Sequence, residues 1–254
     1  MTSSATARKA WLMPLARSYV RRTLRRRFDG VWVEGLARAQ REVEQAPLIV
    51  AVNHVAFWDP LVALQLDSLL GTESHCLMDE RNLAHYPFFA WVGAIPLARR
   101  TNKRMLSQLR SAATLLTGPR RALWIFPQGR QRPAHLWPHA LSSGVAWLSR
   151  EARASVLPLA IGYAFREARE PAVLASFGSL IEAGHDPMLG ALEAAWIAAL
   201  DRIDRFVDRS QGQFEALVPP KRAPGREVPA LGRLLARLLG ASGHARLGAG
   251  EKAT

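Results

Sequence analysis

An α/β domain, with a mostly parallel or mixed sheet flanked by helices, is the fold class this sequence predicts. Three observations lead there. Short β-branched or apolar runs alternate with helical periodicity through the middle of the chain, which argues for a sheet covered by helices. The 254 residues, 49% of them hydrophobic, suffice for one large domain, or a domain with a small appendage. No stretch reaches the ~18–20 apolar residues that a membrane-spanning helix needs, so the apolar content belongs to a globular interior.

The elements follow in order. Residues 1–10 are small and polar and read as a loose terminus. From Trp11 to Phe28 the pattern is that of an N-terminal amphipathic helix. Leu12, Ala16, Val20, Leu24 and Phe28 form one i+4 ridge, widened by Trp11, Leu15 and Tyr19, with Arg17, Arg21, Arg22, Arg25 and Arg26 opposite. Up to residue 28 there are eight Lys or Arg and no acidic residue. A solvated face normally mixes signs. Apolar and aromatic side chains backed by arginines suit an interfacial helix with its cations at lipid head groups. Trp11, Leu12, Leu15, Arg17, Arg21 and Arg25 are the expected membrane contacts. An ordinary surface helix packed on the domain is the alternative.

Strands are expected at Val31–Val33, Pro47–Val52, Leu123–Phe126, Ser155–Ile161 and Val173–Phe177. Helices are expected at Leu61–Leu70, Lys103–Leu116 and Leu141–Arg150, and a long amphipathic one at Leu189–Val207. Pro219, Pro220, Pro224 and Gly225 make a linker. Leu231, Leu234, Leu235, Leu238 and Leu239 then repeat at helical spacing, a tail that docks either on the core or on lipid. The organisation is thus a basic amphipathic segment (1–28), a main domain (29–218) and a linker with a C-terminal helix (219–254).

The formal net charge of +13 seeks a polyanion. Nucleic acid is not expected, because no zinc-finger spacing, basic zipper or RNA-binding aromatic motif is present and the N-terminal arginines back onto an apolar ridge. The single cysteine, Cys76, excludes an internal disulfide and a multi-cysteine metal site and reads as a small buried hydrophobe. His135 and His139 have a helical metal-ligand spacing, but Pro133 and Pro138 oppose a helix there and no third ligand is evident, so no metal is expected.

The segment Leu48-Ile49-Val50-Ala51-Val52-Asn53-His54-Val55-Ala56-Phe57-Trp58-Asp59-Pro60 is the chemical focus. A buried strand runs into Asn53-His54, and Asp59-Pro60 opens the next helix, Asp suiting the N-cap and Pro the first turn. On one continuous helix His54 and Asp59 would face about 140° apart, at roughly 100° per residue. On a loop and a helix start they can meet at the mouth of the sheet. An Asp that fixes one imidazole nitrogen leaves the other free to take a proton from a hydroxyl. A helix cap beside a hydrogen-bonded strand-end histidine explains the same spacing.

This segment resembles the His-x4-Asp block of the glycerolipid acyltransferases, the family of 1-acylglycerol-3-phosphate acyltransferase. Three later stretches resemble that family's further blocks in order. They are Phe88-Phe89-Ala90-Trp91-Val92-Gly93-Ala94-Ile95-Pro96-Leu97-Ala98-Arg99, Phe126-Pro127-Gln128-Gly129 and Val156-Leu157-Pro158-Leu159. The resemblance spans roughly residues 28–182. It implies an α/β acyltransferase fold and transfer of a fatty acyl group from acyl-CoA or acyl carrier protein, with no other cofactor. It implies His54 as general base with Asp59 behind it, and an acceptor site at Arg99, Gln128, Gly129, Arg130 and Arg132.

The third block departs from the usual Phe-Pro-Glu-Gly-Thr-Arg: Gln128 stands at the Glu, Arg130 at the Thr and Gln131 at the Arg. A neutral amide donates as well as accepts, so a lysophospholipid or related lipid shares the field with a glycolipid or glycosylated pigment as acceptor. A non-catalytic membrane-surface binding protein is the reading from another class. The expected partners are an anionic membrane surface, the acyl donor, the lipid acceptor and an acyl carrier protein. The expected location is peripheral, on the cytoplasmic face of the cell membrane.

Overall fold

The computed structural model of the protein describes residues 8–98, 102–166 and 168–220. After a 3-10 turn (Ala10–Leu12) the order is α1 (Met13–Arg27), β1 (Val31–Glu34), α2 (Leu36–Gln45), β2 (Leu48–Val52), α3 (Asp59–Leu70), β3 (Glu73–Asp79), α4 (Glu80–His85), α5 (Phe88–Trp91), β4 (Ala94–Leu97), α6 (Asn102–Ala113), β5 (Arg121–Ile125), α7 (Gly144–Ala152), β6 (Ser155–Ala164), β7 (Ala172–Phe177), α8 (Met188–Arg209) and β8 (Glu215–Val218). The C-terminal helix expected at 231–239 lies outside the described residues.

The strands form one mixed sheet in the order β4-β3-β5-β2-β6-β7-β1-β8. The five strands from β4 to β6 are parallel, β7 and β1 run the other way, and β8 pairs antiparallel with β1. β2 lies between two parallel partners and all five of its residues are buried, which is why it reads as an unbroken apolar run. Its side chains alternate between the two faces. Leu48, Val50 and Val52 join a core with α1, α2 and α3, while Ile49 and Ala51 join one with α6, α7 and α8. Two helical layers therefore sandwich the sheet. In such folds ligands bind outside the carboxyl ends of the parallel strands, and β2 delivers His54 to that position.

The structure adds elements the sequence pattern does not announce. β4 is a four-residue edge strand carrying Pro96, whose missing N–H is tolerated at an edge. β3 is mostly half-buried, so the polar residues Glu73, Ser74 and His75 interrupt any apolar run. α2 buries only Leu36, Ala39 and Val43 among charged neighbours. α7 starts at Gly144 rather than Leu141, and Ser143 occupies its N-cap without a side-chain bond.

The N-terminal helix differs from its sequence reading in which face is free. Ala16, Val20, Leu24 and Phe28 of the predicted ridge are buried, joined by Met13. Val20, Leu24 and Phe28 belong to the same core as β2 and α3. The boundary drawn at residue 28 therefore crosses a continuous core, and the ridge packs against protein. What remains outside is a flank: Trp11, Leu15 and Tyr19, at 70%, 62% and 62% exposure, with Arg21 and Arg25 exposed beside them. Leu12 and Arg17 are only half-exposed. Among the described residues no helix is long and apolar enough to cross a membrane.

Candidate active site

β2 ends at Val52, and Asn53 holds the chain against the neighbouring strand. Its Nδ2 donates to the Ile161 carbonyl at 3.0 Å, and the Ile161 N–H donates to its Oδ1 at 2.7 Å. A fully buried side-chain amide thus replaces the ladder where β2 stops and β6 continues. The next residue, His54, turns into the site with its side chain 18% exposed. Its Nδ1 lies 2.7 Å from Asp59 Oδ2.

Asp59 is completely buried. Its Oδ2 also accepts the N–H groups of Val55 at 2.7 Å and Ala56 at 2.8 Å, and its Oδ1 accepts the Tyr163 hydroxyl at 2.7 Å. The carboxylate therefore reaches back over the loop that precedes α3. This corrects the helix-cap reading: Trp58 occupies the N-cap of α3, and the bonds of Asp59 go to the 54–56 loop and to Tyr163. With Nδ1–H given to Asp59, Nε2 is the nitrogen left to act on a substrate hydroxyl. The ring is also fixed by Phe126, at a centroid distance of 4.8 Å.

The third block binds His54 through its backbone. Gln128 Oε1 accepts the His54 N–H at 2.6 Å, and the Arg132 N–H donates to the His54 carbonyl at 2.8 Å. Gln128 is buried, and its Nε2 has no hydrogen-bond partner among the described residues. Gly129 makes the turn between them with φ +65, and its N–H donates to the Phe126 carbonyl at 2.9 Å. Arg130 is exposed and Arg132 half-buried. The structure thus brings Gln128, Gly129 and Arg132 to His54, leaves Arg130 on the open loop, and does not describe Arg99.

A cavity of about 410 Å³ is lined by His54 together with residues of α3, β3, β5, α6 and α7. Its wall is largely apolar, with Ala63, Leu64, Leu109, Trp124 and Val145 among the lining residues. Cys76 also lines it and is half-buried rather than fully buried as expected; desolvation pushes its thiol up to about 12, which disfavours the thiolate at neutral pH. Among the described residues no group of three His, Cys, Asp or Glu side chains is placed to hold a metal ion. His139 serves structure: it is buried, its backbone N–H donates to Glu193 Oε1 at 2.6 Å, and its Nε2 lies 3.2 Å from the Ala134 carbonyl. Burial lowers its pKa below the ordinary histidine value.

Tyr163 is the residue that sequence reasoning missed. It lies 104 positions from Asp59, and only the register of β6 beyond β2 brings it there. The apolar stretch that contains it carries no signal of its own.

The geometry can be set beside known proteins. A family model described as Acyltransferase matches residues 30–162, a span that contains His54, Asp59 and the whole third block. No curated protein matches the chain in sequence. Among solved structures, the crystal structure of the 1-acyl-sn-glycerophosphate (LPA) acyltransferase PlsC from Thermotoga maritima is similar. The TM-score is 0.56 at 16% identity, covering 82% of this chain and 85% of that one. At that identity the likeness is one of fold.

Proposed function

The chain belongs to the acyltransferase family, and from that premise we propose that it is an O-acyltransferase moving a fatty acyl group from acyl-CoA or acyl carrier protein to a hydroxyl of a lysophospholipid or related lipid. The observation that carries this reading is the His54 Nδ1–Asp59 Oδ2 contact of 2.7 Å, with His54 lining a largely apolar cavity. The Thermotoga enzyme is named for 1-acyl-sn-glycerophosphate, and that lysolipid is the first acceptor to test here.

The mechanism follows from the placement. The acyl chain lies in the cavity with its thioester carbonyl beside His54. The acceptor hydroxyl gives its proton to His54 Nε2 as its oxygen attacks that carbonyl. Asp59 stabilises the imidazolium that forms. The tetrahedral intermediate collapses, the C–S bond breaks, and the imidazolium returns the proton to the departing thiolate. Gln128 and Arg132 keep the His54 backbone still during this exchange. Gln128, Gly129, Arg130 and Arg132, together with Arg99, bind the acceptor, guanidinium forks suiting phosphate or carboxylate.

A variant acceptor is the second reading. The group beside the His54 backbone is a neutral amide whose Nε2 is buried, so Gln128 acts on the site through the His54 main chain. A sugar hydroxyl of a glycolipid or glycosylated pigment is the candidate of that kind. The exposed flank Trp11, Leu15 and Tyr19, with Arg21 and Arg25, supports docking on an anionic membrane surface, for which the cytoplasmic face is our reading; among the described residues no helix is long and apolar enough to cross a membrane.

The test is turnover of labelled acyl-CoA and acyl carrier protein donors by purified protein against a panel of lysolipids and glycolipids. Acylation of one acceptor class is expected, abolished in a folded His54→Ala variant. Undiminished turnover by that variant overturns the mechanism.

A further inference from the structure

The two oxygens of Asp59 are held unequally. Oδ2 takes three bonds, all from His54, Val55 and Ala56 in the loop just before α3. These bonds hold the carboxylate to the loop that carries His54. Oδ1 takes its bond from the Tyr163 hydroxyl at 2.7 Å. Among the described residues this is the bond that ties the carboxylate to an element outside its own loop.

Tyr163 is itself well seated. β6 outruns β2, whose last pair is Val52 with Leu159. Ile161 is then held by the Asn53 side chain, and Tyr163 follows two residues on, on the same face of the strand. Its ring packs on Phe28 at 5.7 Å, and Phe28 meets Trp58 edge-on at 5.4 Å. Trp58 immediately precedes Asp59. Burial and the neighbouring carboxylate push the phenol pKa far up, so the group is a hydroxyl donor at every assay pH.

We propose that Tyr163 is a positioning residue for acyl transfer. It fixes the plane of the Asp59 carboxylate so that Oδ2 stays on His54 Nδ1. By drawing on the charge of that carboxylate it also sets how strongly the imidazolium is stabilised. This rests on His54 and Asp59 being the catalytic pair.

The experiment compares three proteins in the same acyl-transfer assay. Tyr163→Phe keeps the ring against Phe28 and loses only the hydroxyl. Its kcat is expected to fall about tenfold, the loss usual for one hydrogen bond to a charged group, with KM for the acyl donor little changed. A carboxylate relieved of one donor attracts the imidazolium more strongly, so the acid limb of the pH–rate profile moves to higher pH. Fluorotyrosine placed at position 163 makes a stronger donor of nearly the same shape, and the limb is expected to move to lower pH. That arm stands whether or not the Phe variant folds. His54→Ala separates the two ideas: turnover by it sinks the catalytic pair itself. If His54→Ala is inactive while both Tyr163 proteins keep the wild-type acid limb, the catalytic pair stands and the role of Tyr163 is overturned.

Discussion

Gln128 Oε1 accepts the backbone N–H of His54 at 2.6 Å, across 74 residues of sequence. The third block therefore reaches the proposed general base through its main chain, and the identity of residue 128 matters to the site before any acceptor arrives. Gln128→Ala leaves the buried His54 N–H unpaired. That costs about 1–3 kcal/mol of stability and frees the loop, so kcat is expected to fall at least tenfold. Gln128→Glu keeps an acceptor for the His54 N–H and replaces the amide donor by a carboxylate oxygen. It is expected to retain more activity than Ala, at a stability cost for placing a carboxylate where the amide is buried. Chemical denaturation and kcat/KM ratios over an acceptor panel measure both effects.

Removing the base or its partner gives the largest losses. His54→Ala is expected to lower kcat by about 10²–10⁴, the usual worth of a positioned general base. Asp59→Asn keeps the shape and leaves its carbonyl oxygen toward His54, because an NH2 there would oppose the Val55 and Ala56 N–H groups, but it lacks the charge that stabilises the imidazolium. A drop of about 10²–10³ is expected. Single-turnover rates with melting curves alongside separate these losses from unfolding.

The pair was half legible in the sequence. Spacing placed His54 on a strand end and Asp59 at a helix start, but the same spacing fitted a cap and a strand-end histidine nearly as well. What brings the two side chains together in the structure are contacts that spacing does not encode. The Asp59 bonds to Val55 and Ala56 depend on how the loop folds back, and the Tyr163 bond depends on β6 outrunning β2. β2 and β6 were readable because burial on both faces demands continuous apolar runs. β3 and β4 were not, because a half-buried strand and a proline-bearing edge strand break that pattern. The α1 ridge was readable as apolar, but periodicity does not say whether an apolar face meets protein or lipid.

Acidification is expected to destabilise the fold through its buried histidines. Burial holds the pKa of both His75 and His139 below the ordinary value. A histidine depressed in the folded state binds its proton more readily when unfolded. The unfolded state therefore gains protons first as the pH falls below about 6.5, and stability drops with it. His139→Gln, which keeps a polar side chain without a titrating ring, is expected to flatten this fall. Denaturant midpoints measured from pH 8 to pH 5 check it, and a curve as steep as the wild type rejects the assignment to His139.

The exposed flank of α1 can be tested without touching the core. Trp11, Leu15 and Tyr19 lie at successive i+4 positions and are largely exposed, so replacing all three by Ser leaves the melting temperature within a few degrees. Each large apolar side chain buried in lipid contributes about 1.5–3 kcal/mol, so affinity for anionic vesicles is expected to fall more than a hundredfold. Arg21→Glu with Arg25→Glu is expected to weaken the same binding and reduce its salt dependence. Vesicle sedimentation at two ionic strengths reads both. Unchanged sedimentation of the triple variant places the membrane contact elsewhere.

The cavity wall should set which acyl chains are used. Ala63 lies on α3 four residues beyond Asp59, about 6 Å further along the helix axis, and lines the same cavity as His54. Ala63→Phe fills that space at an overpacking cost of about 1–3 kcal/mol. Leu109 lines the same cavity from α6, and Leu109→Ala enlarges it. Each methylene forced out of an apolar site loses about 0.8 kcal/mol. A chain two carbons too long is therefore disfavoured roughly fifteenfold, taking 1.4 kcal/mol per factor of ten. The chain-length optimum of kcat/KM should move down in Ala63→Phe and up in Leu109→Ala. The same optimum in both variants would mean that the acyl chain lies outside this cavity, with His54 approached from the surface.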